Sequence, residues 1–256
     1  MPLGFFLVMM FLQQGAGTPT PAANLAGDRL APLVAVDGRY CTADARWCVS
    51  LDGGGEEGAP AVPTVRPGDA AAPAPGPADE TSDESYAVWP GLVLLKGGGF
   101  LAGVEVRTST AYSGGGGSAT ELRLFRISAG GHTDAKPVLT VPVGASLMIR
   151  ACFSEADMKS RRGACHDEYS FAGSIALAQG ATAGLPDLSY DTEARTYPRG
   201  VSRLEDSTGK GRLKKSDLVR ARDPACSFVR RFRFDSATST YLPDRPLPDC
   251  SAYTVP

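Results

Sequence analysis

The residues best placed to do chemistry lie in one stretch, Ser146–Leu177, which reads SLMIRACFSEADMKSRRGACHDEYSFAGSIAL. His166 and Glu168 stand two apart, so on a strand both side chains point to one face. Glu155 and Asp157 lie in the charged segment just before them. A histidine among carboxylates can ligate a metal or form an acid–base pair, which makes His166 and Glu168 the catalytic candidates of the chain. The competing reading is a solvated charge cluster in which these groups offset Lys159, Arg161 and Arg162, each exposed pair contributing well under about 1 kcal/mol. The sequence favours that second reading. It points to no metal site and no cofactor.

Other catalytic routes find little material. The second histidine, His132, follows Gly130-Gly131 in a turn-like segment, and a Ser–His–Asp arrangement would have to use it or His166. No Gly-x-Ser-x-Gly elbow is present to expose a serine nucleophile. The run Tyr112–Thr120 is rich in glycine but lacks the Lys-Ser/Thr pair and following helix of a phosphate loop, so it reads as a flexible or bulged hairpin connection.

The six cysteines form three close pairs, Cys41/Cys48, Cys152/Cys165 and Cys226/Cys250. None has zinc-ligand spacing. Each pair flanks a turn-like segment, so local disulfides are expected, closing loops that contribute roughly 2.5, 3 and 3.5 kcal/mol by chain entropy. Disulfides imply an oxidising compartment. The apolar run Leu3–Leu12 followed by small residues reads as a signal peptide over 1–17, although it lacks a basic start. Neither that run nor any later one is long enough to span a bilayer as a helix. The expectation is an exported protein, periplasmic or extracellular, with the Ala-, Gly-, Arg- and Asp-rich composition of a bacterial one.

Charge is unevenly divided. Residues 195–233 hold twelve Lys and Arg against four acids, whereas the whole chain carries −2. Lys210, Arg212, Lys214, Lys215, Arg231 and Arg233 are therefore the candidate anion-binding residues, with an anionic polysaccharide or an envelope protein as partner. No nucleic-acid-binding motif or interleaved aromatic set accompanies them, so nucleic acid is not expected.

The elements that must position these groups read as strands. Residues 18–32 form a flexible lead, and a single β-rich domain occupies 33–256, interrupted by a disordered Pro/Gly/Ala-rich insertion at about 53–85. Short strands flank the Thr42–Ala45 turn, with Trp47 as a large core anchor beside Cys48. Others are expected near Val88–Lys96, Phe100–Thr110, Thr120–Ser128 and Pro137–Val143. Ser146–Phe153 and Cys165–Leu177 should pair as a hairpin closed at its neck by Cys152–Cys165. Alternation there puts Tyr169, Phe171, Ile175 and Leu177 towards the core, His166 and Glu168 outward, and Asp167 at the margin of the sheet. Residues 179–200 read as turn-rich, and a short helix fits Lys215–Val219. Phe232 and Phe234 share a face opposite Arg231 and Arg233, before a turn at Asp235–Thr240. The expected fold is all-β or mainly β, an antiparallel sandwich or barrel-like domain stapled by three local disulfides. The expected function is non-catalytic binding; a hydrolase drawing its carboxylates from separate strands is the alternative.

Overall fold

Strand pairing begins earlier in the chain than its composition suggests. The computed structural model describes residues 22–36, 39–53, 60–70, 84–179, 184–203 and 211–256; the signal-like segment and Lys210 lie outside them. Fourteen strands are described: β1 (Ala22–Ala23), β2 (Arg29–Val36), β3 (Arg39–Thr42), β4 (Trp47–Asp52), β5 (Val62–Pro67), β6 (Glu84–Leu94), β7 (Phe100–Tyr112), β8 (Gly115–Ile127), β9 (Leu139–Arg150), β10 (His166–Leu177), β11 (Leu188–Tyr197), β12 (Ala221–Asp223), β13 (Val229–Asp235) and β14 (Thr240–Pro243). Two short helices, α1 (Glu155–Ser160) and α2 (Ser251–Thr254), and a 3-10 turn at Lys215–Asp217 complete the set. No helix among the described residues is long and apolar enough to cross a membrane.

All pairings are antiparallel, and the strands follow one open path, β14-β13-β11-β10-β9-β8-β7-β6-β2-β3-β4-β5. The mainly antiparallel β expectation holds, and so do the three local disulfides, Cys41–Cys48, Cys152–Cys165 and Cys226–Cys250. The path folds over itself because one strand changes partner and another parts from a neighbour along its length. β2 pairs β6 through Arg29–Pro32 and β3 through Leu33–Val36. β9 pairs β8 along its whole length, with a bulge between Thr120 and Glu121, but pairs β10 only from Gly144 to Arg150. The parting comes next to Pro142, which has no N–H to continue a ladder and whose carbonyl accepts the Tyr190 hydroxyl at 2.5 Å.

The result is three layers. Over residues 88–93, 100–106 and 122–127, strands β6–β8 carry buried side chains on both faces. On one side Leu33, Val49, Val65, Val88, Leu92, Phe100 and Ile127 join in an apolar cluster, and Ala61, Val104, Val106 and Phe125 form another. On the other side Trp89, Val93, Leu101, Leu122 and Leu124 pack with Ile175, Leu188, Tyr190, Phe232, Tyr241 and Tyr253. Gly103 is part of this fit: a Cβ there would lie 2.6 Å from Leu122 Cδ1 and 2.9 Å from Trp89 Cβ.

Several sequence expectations need correction. Within the supposedly flexible lead, β1 pairs β2 across a turn in which buried Asp28 accepts from Asn24 Nδ2 and from the Lys96 N–H. At the first disulfide, Cys48 and not Trp47 is the buried residue. Cys41 and Cys48 stand directly opposite each other across β3 and β4, and both are buried. Trp47 is half-buried at the edge of the apolar layer, with its ring edge-on to Phe100 at 4.8 Å. Within the supposed insertion, Val62–Pro67 pairs β4 along its full length, because Val65 adds to the apolar layer.

Three of the four glycines of the Tyr112–Thr120 connection are strand residues, Gly114 alone lying in the turn: Gly115–Gly117 pair both β7 and β9. A Cβ at Gly117 would stand 2.7 Å from the Ser146 carbonyl oxygen, so close approach of neighbouring backbones, and not looseness, accounts for it. The segment read as turn-rich contains β11, a central ten-residue strand. The charged loop after Cys152 contains α1, capped by Ser154, whose Oγ accepts the Asp157 N–H.

Asp167 is not marginal. It is buried, and its carboxylate accepts Arg161 Nη2 in an equally buried ion pair. Arg161 also donates Nε to the Ala164 carbonyl, so the pair fastens the Cys152–Cys165 loop from beneath.

Glu105, in mid-β7 between Ala87 and Leu122, is half-buried, and that burial raises its pKa. The folded state thus favours its protonated form, so the charged carboxylate costs stability above its folded pKa. The cost disappears below the unfolded value of about 4.3. Glu105→Gln is expected to melt above the wild type at neutral pH and together with it below about pH 4, as thermal scans across pH would show.

Candidate functional site

The outer face of β9, β10 and β11 carries a shallow groove of about 300 Å³. Period-2 alternation sends Tyr169 and Phe171 inward to the core and leaves Ser146, Met148, Glu168, Ser170, Arg195 and Tyr197 to line it, with Arg220 closing one side. Register fixes the rows. Ser146 stands opposite Ser170, which stands opposite Arg195; Met148 stands opposite Glu168, which stands opposite Tyr197.

Three arginines lie on the β11 side. Arg195 and Arg222 are direct cross-strand partners between β11 and β12, a like-charge placement that is unfavourable without a compensating anion. Arg220, two residues before Arg222, donates Nη2 to Glu168 Oε2 at 2.7 Å. Arg195 donates Nη2 to Glu193 Oε1 at 2.6 Å, and Arg222 donates Nη2 to the Ser227 carbonyl at 3.2 Å. Among the described residues the three cations are therefore matched by two carboxylates, with a single positive charge left over. Hydroxyls from Ser146 and Ser170 and the half-buried Tyr197 ring complete the lining. Such a surface can bind anions through Arg forks and hold a ring against an aromatic face.

The catalytic candidates are not assembled into a reactive group. Glu168 lies in the groove but is engaged by Arg220. His166 is exposed at the end of β10, opposite Arg150. Asp157 Oδ2 accepts the Phe153 N–H, and that bond, with the one from Ser154, holds its carboxyl below the usual range. Glu155 is exposed and 3.9 Å from Lys159. Among the described residues no three His, Cys, Asp or Glu side chains converge to hold a metal ion. His132 is exposed in a turn where its N–H donates to Ser128 Oγ.

The anion-binding candidates fall into two places. Arg231 and Arg233 both direct Nε at the buried carboxylate of Asp187, at 2.8 and 3.3 Å, so an internal acid already offsets their charge. Arg212, Lys214 and Lys215 are exposed beside α1: the Leu213 N–H donates to the Ser160 carbonyl and Arg162 Nε donates to the Leu213 carbonyl. Arg195, Arg220 and Arg222 were not singled out from sequence. Their signal was the alternation of Leu188–Tyr197, which would have put Arg195 on the outer face.

No protein-family model, no curated protein and no solved structure matches the chain.

Proposed function

We propose that the protein is an exported, non-catalytic β-domain that binds an anionic polysaccharide in the groove across β9, β10 and β11. The observation that carries this reading is a groove lined by serine hydroxyls and by Arg195 and Arg220, with Arg222 standing opposite Arg195 across β11 and β12. An acidic sugar supplies an anion for the positive charge that Glu168 and Glu193 leave over in this cluster, and its hydroxyls match the serine rows. The three disulfides are in keeping with an oxidising compartment. A hydrolase of the two-carboxylate kind fits this groove less well. Among the described residues its one lining carboxylate is Glu168, already paired with Arg220, whereas that chemistry needs two, about 5–10 Å apart.

The test is retention on immobilised heparin. Wild-type protein is expected to stay bound past about 0.3 M salt. The variant Arg195→Gln/Arg220→Gln/Arg222→Gln should elute near the void while keeping its unfolding free energy within about 0.5 kcal/mol, as exposed substitutions do. Co-elution of the two proteins would overturn the reading.

A further inference from the structure

Phe153 and Met158 are 66% and 54% exposed. Neither sits on a loose segment. The Cys152–Cys165 bond closes the loop that carries them, the buried Arg161–Asp167 pair anchors it, and Ser154 caps α1. Phe153 precedes the cap and Met158 follows in the first turn, the two positions of a hydrophobic staple, yet both remain presented to solvent.

Cations lie on the tip and beside the end of α1. The Arg150 guanidinium lies 5.2 Å over the Phe153 ring. Lys159 and Arg162 are exposed at the end of α1, and the Leu213 hydrogen bonds hold Arg212, Lys214 and Lys215 alongside. Among the described residues, these six cations face three nearby acids: Glu155, close to Lys159, and Asp157 and Asp217, which accept the Phe153 and Lys214 backbone N–H groups.

We propose that the Cys152–Cys165 loop docks the protein on an anionic lipid surface, with Phe153 and Met158 entering the headgroup–acyl boundary and the neighbouring cations meeting lipid phosphates. Two apolar side chains are too few for a stable protein interface, which needs about 1,000 Å² or more. A fluid bilayer requires no shape match, and apolar insertion adds to electrostatic attraction there. Each cation near such a surface contributes roughly fivefold in affinity. An anionic polysaccharide would satisfy the cations but offers the tip no apolar phase. This docking does not depend on the groove, and the two can fail separately.

Co-sedimentation with extruded vesicles tests it. The protein should pellet with phosphatidylcholine–phosphatidylglycerol vesicles and not with phosphatidylcholine alone. Phe153→Ser/Met158→Ser should weaken partition about tenfold, with an unchanged circular dichroism spectrum. Phe153→Leu/Met158→Leu should bind like the wild type, which separates lost insertion from a damaged loop. Arg212→Gln/Lys214→Gln/Lys215→Gln should weaken partition by more than tenfold, and the groove variant should leave it unchanged. Failure of the wild type to pellet, equal pelleting with neutral vesicles, or wild-type partition by the serine variant would each overturn the proposal.

Discussion

Arg161→Met is expected to lower the unfolding free energy by about 3–5 kcal/mol, because it strands the Asp167 carboxylate in a buried site with no counter-ion. Both side chains are under a tenth exposed, at 7% and 4%, so water cannot replace the lost guanidinium. A domain of this kind has about 5–15 kcal/mol in total, so the variant should sit near the edge of folding at physiological temperature. Urea unfolding checks the magnitude. Arg161→Met/Asp167→Leu checks the cause: with both charges removed, most of the stability should return, since an apolar pair of similar volume is often as good as a buried ion pair. If the single variant loses less than about 1 kcal/mol, the pair is not holding the loop.

Cys226→Ser/Cys250→Ser is expected to cost about 3.5 kcal/mol on the chain-entropy account, given its 24-residue separation. The bond does more than close a loop. On one side the Cys226 carbonyl accepts Thr192 Oγ1 and the next residue, Ser227, accepts the Ala194 N–H, both on the buried face of β11. On the other side Cys250 begins α2, whose Tyr253 packs edge-on to Tyr169 at 6.0 Å and donates its hydroxyl to Asp223. Burial pushes the Tyr169 hydroxyl up to about 12. Loss of the disulfide should release α2 and let Tyr169 ionise nearer the ordinary value of about 10. Ultraviolet titration would detect this separately from global stability; an unshifted Tyr169 would mean that α2 stays docked without the bond.

The hairpin of β9 and β10 was legible in the sequence because two local signals agree there. Cys152 and Cys165 mark its neck, and Tyr169, Phe171, Ile175 and Leu177 repeat with period 2. The Cys41–Cys48 staple was legible for a similar reason, since seven residues leave room for little besides a turn between its strands. β11 repeats just as regularly, but its inward positions include Thr192, Ala194 and Thr196. Thr192 is buried through hydrogen bonds to backbone carbonyls and not through apolarity, so a hydrophobic pattern passes over it. β5 was hidden by prolines and an acidic, Gly-rich setting, since its place depends on the layer it covers. Asp167 was misplaced because alternation along one strand says nothing about a partner six residues back, just beyond a helix. The groove followed the same rule: its serines and Glu168 were visible on one face, while its arginines arrive from β11 and from Arg220 just before β12, which only register brings alongside.

The two prolines of β5 have a consequence for how the molecule behaves among copies of itself. β5 is the last strand of the path, and among the described residues it pairs only β4. Because Pro63 and Pro67 cannot donate, its ladder to β4 must run through the N–H groups of Val62, Thr64 and Arg66. The outward positions are then Pro63, Val65 and Pro67, with a single N–H among them. The outward carbonyl of Pro63 is itself taken by Thr133 Oγ1 at 2.9 Å. An extended chain arriving at this edge finds almost nothing to pair with, so a sheet this long ends in a terminus that does not template aggregation.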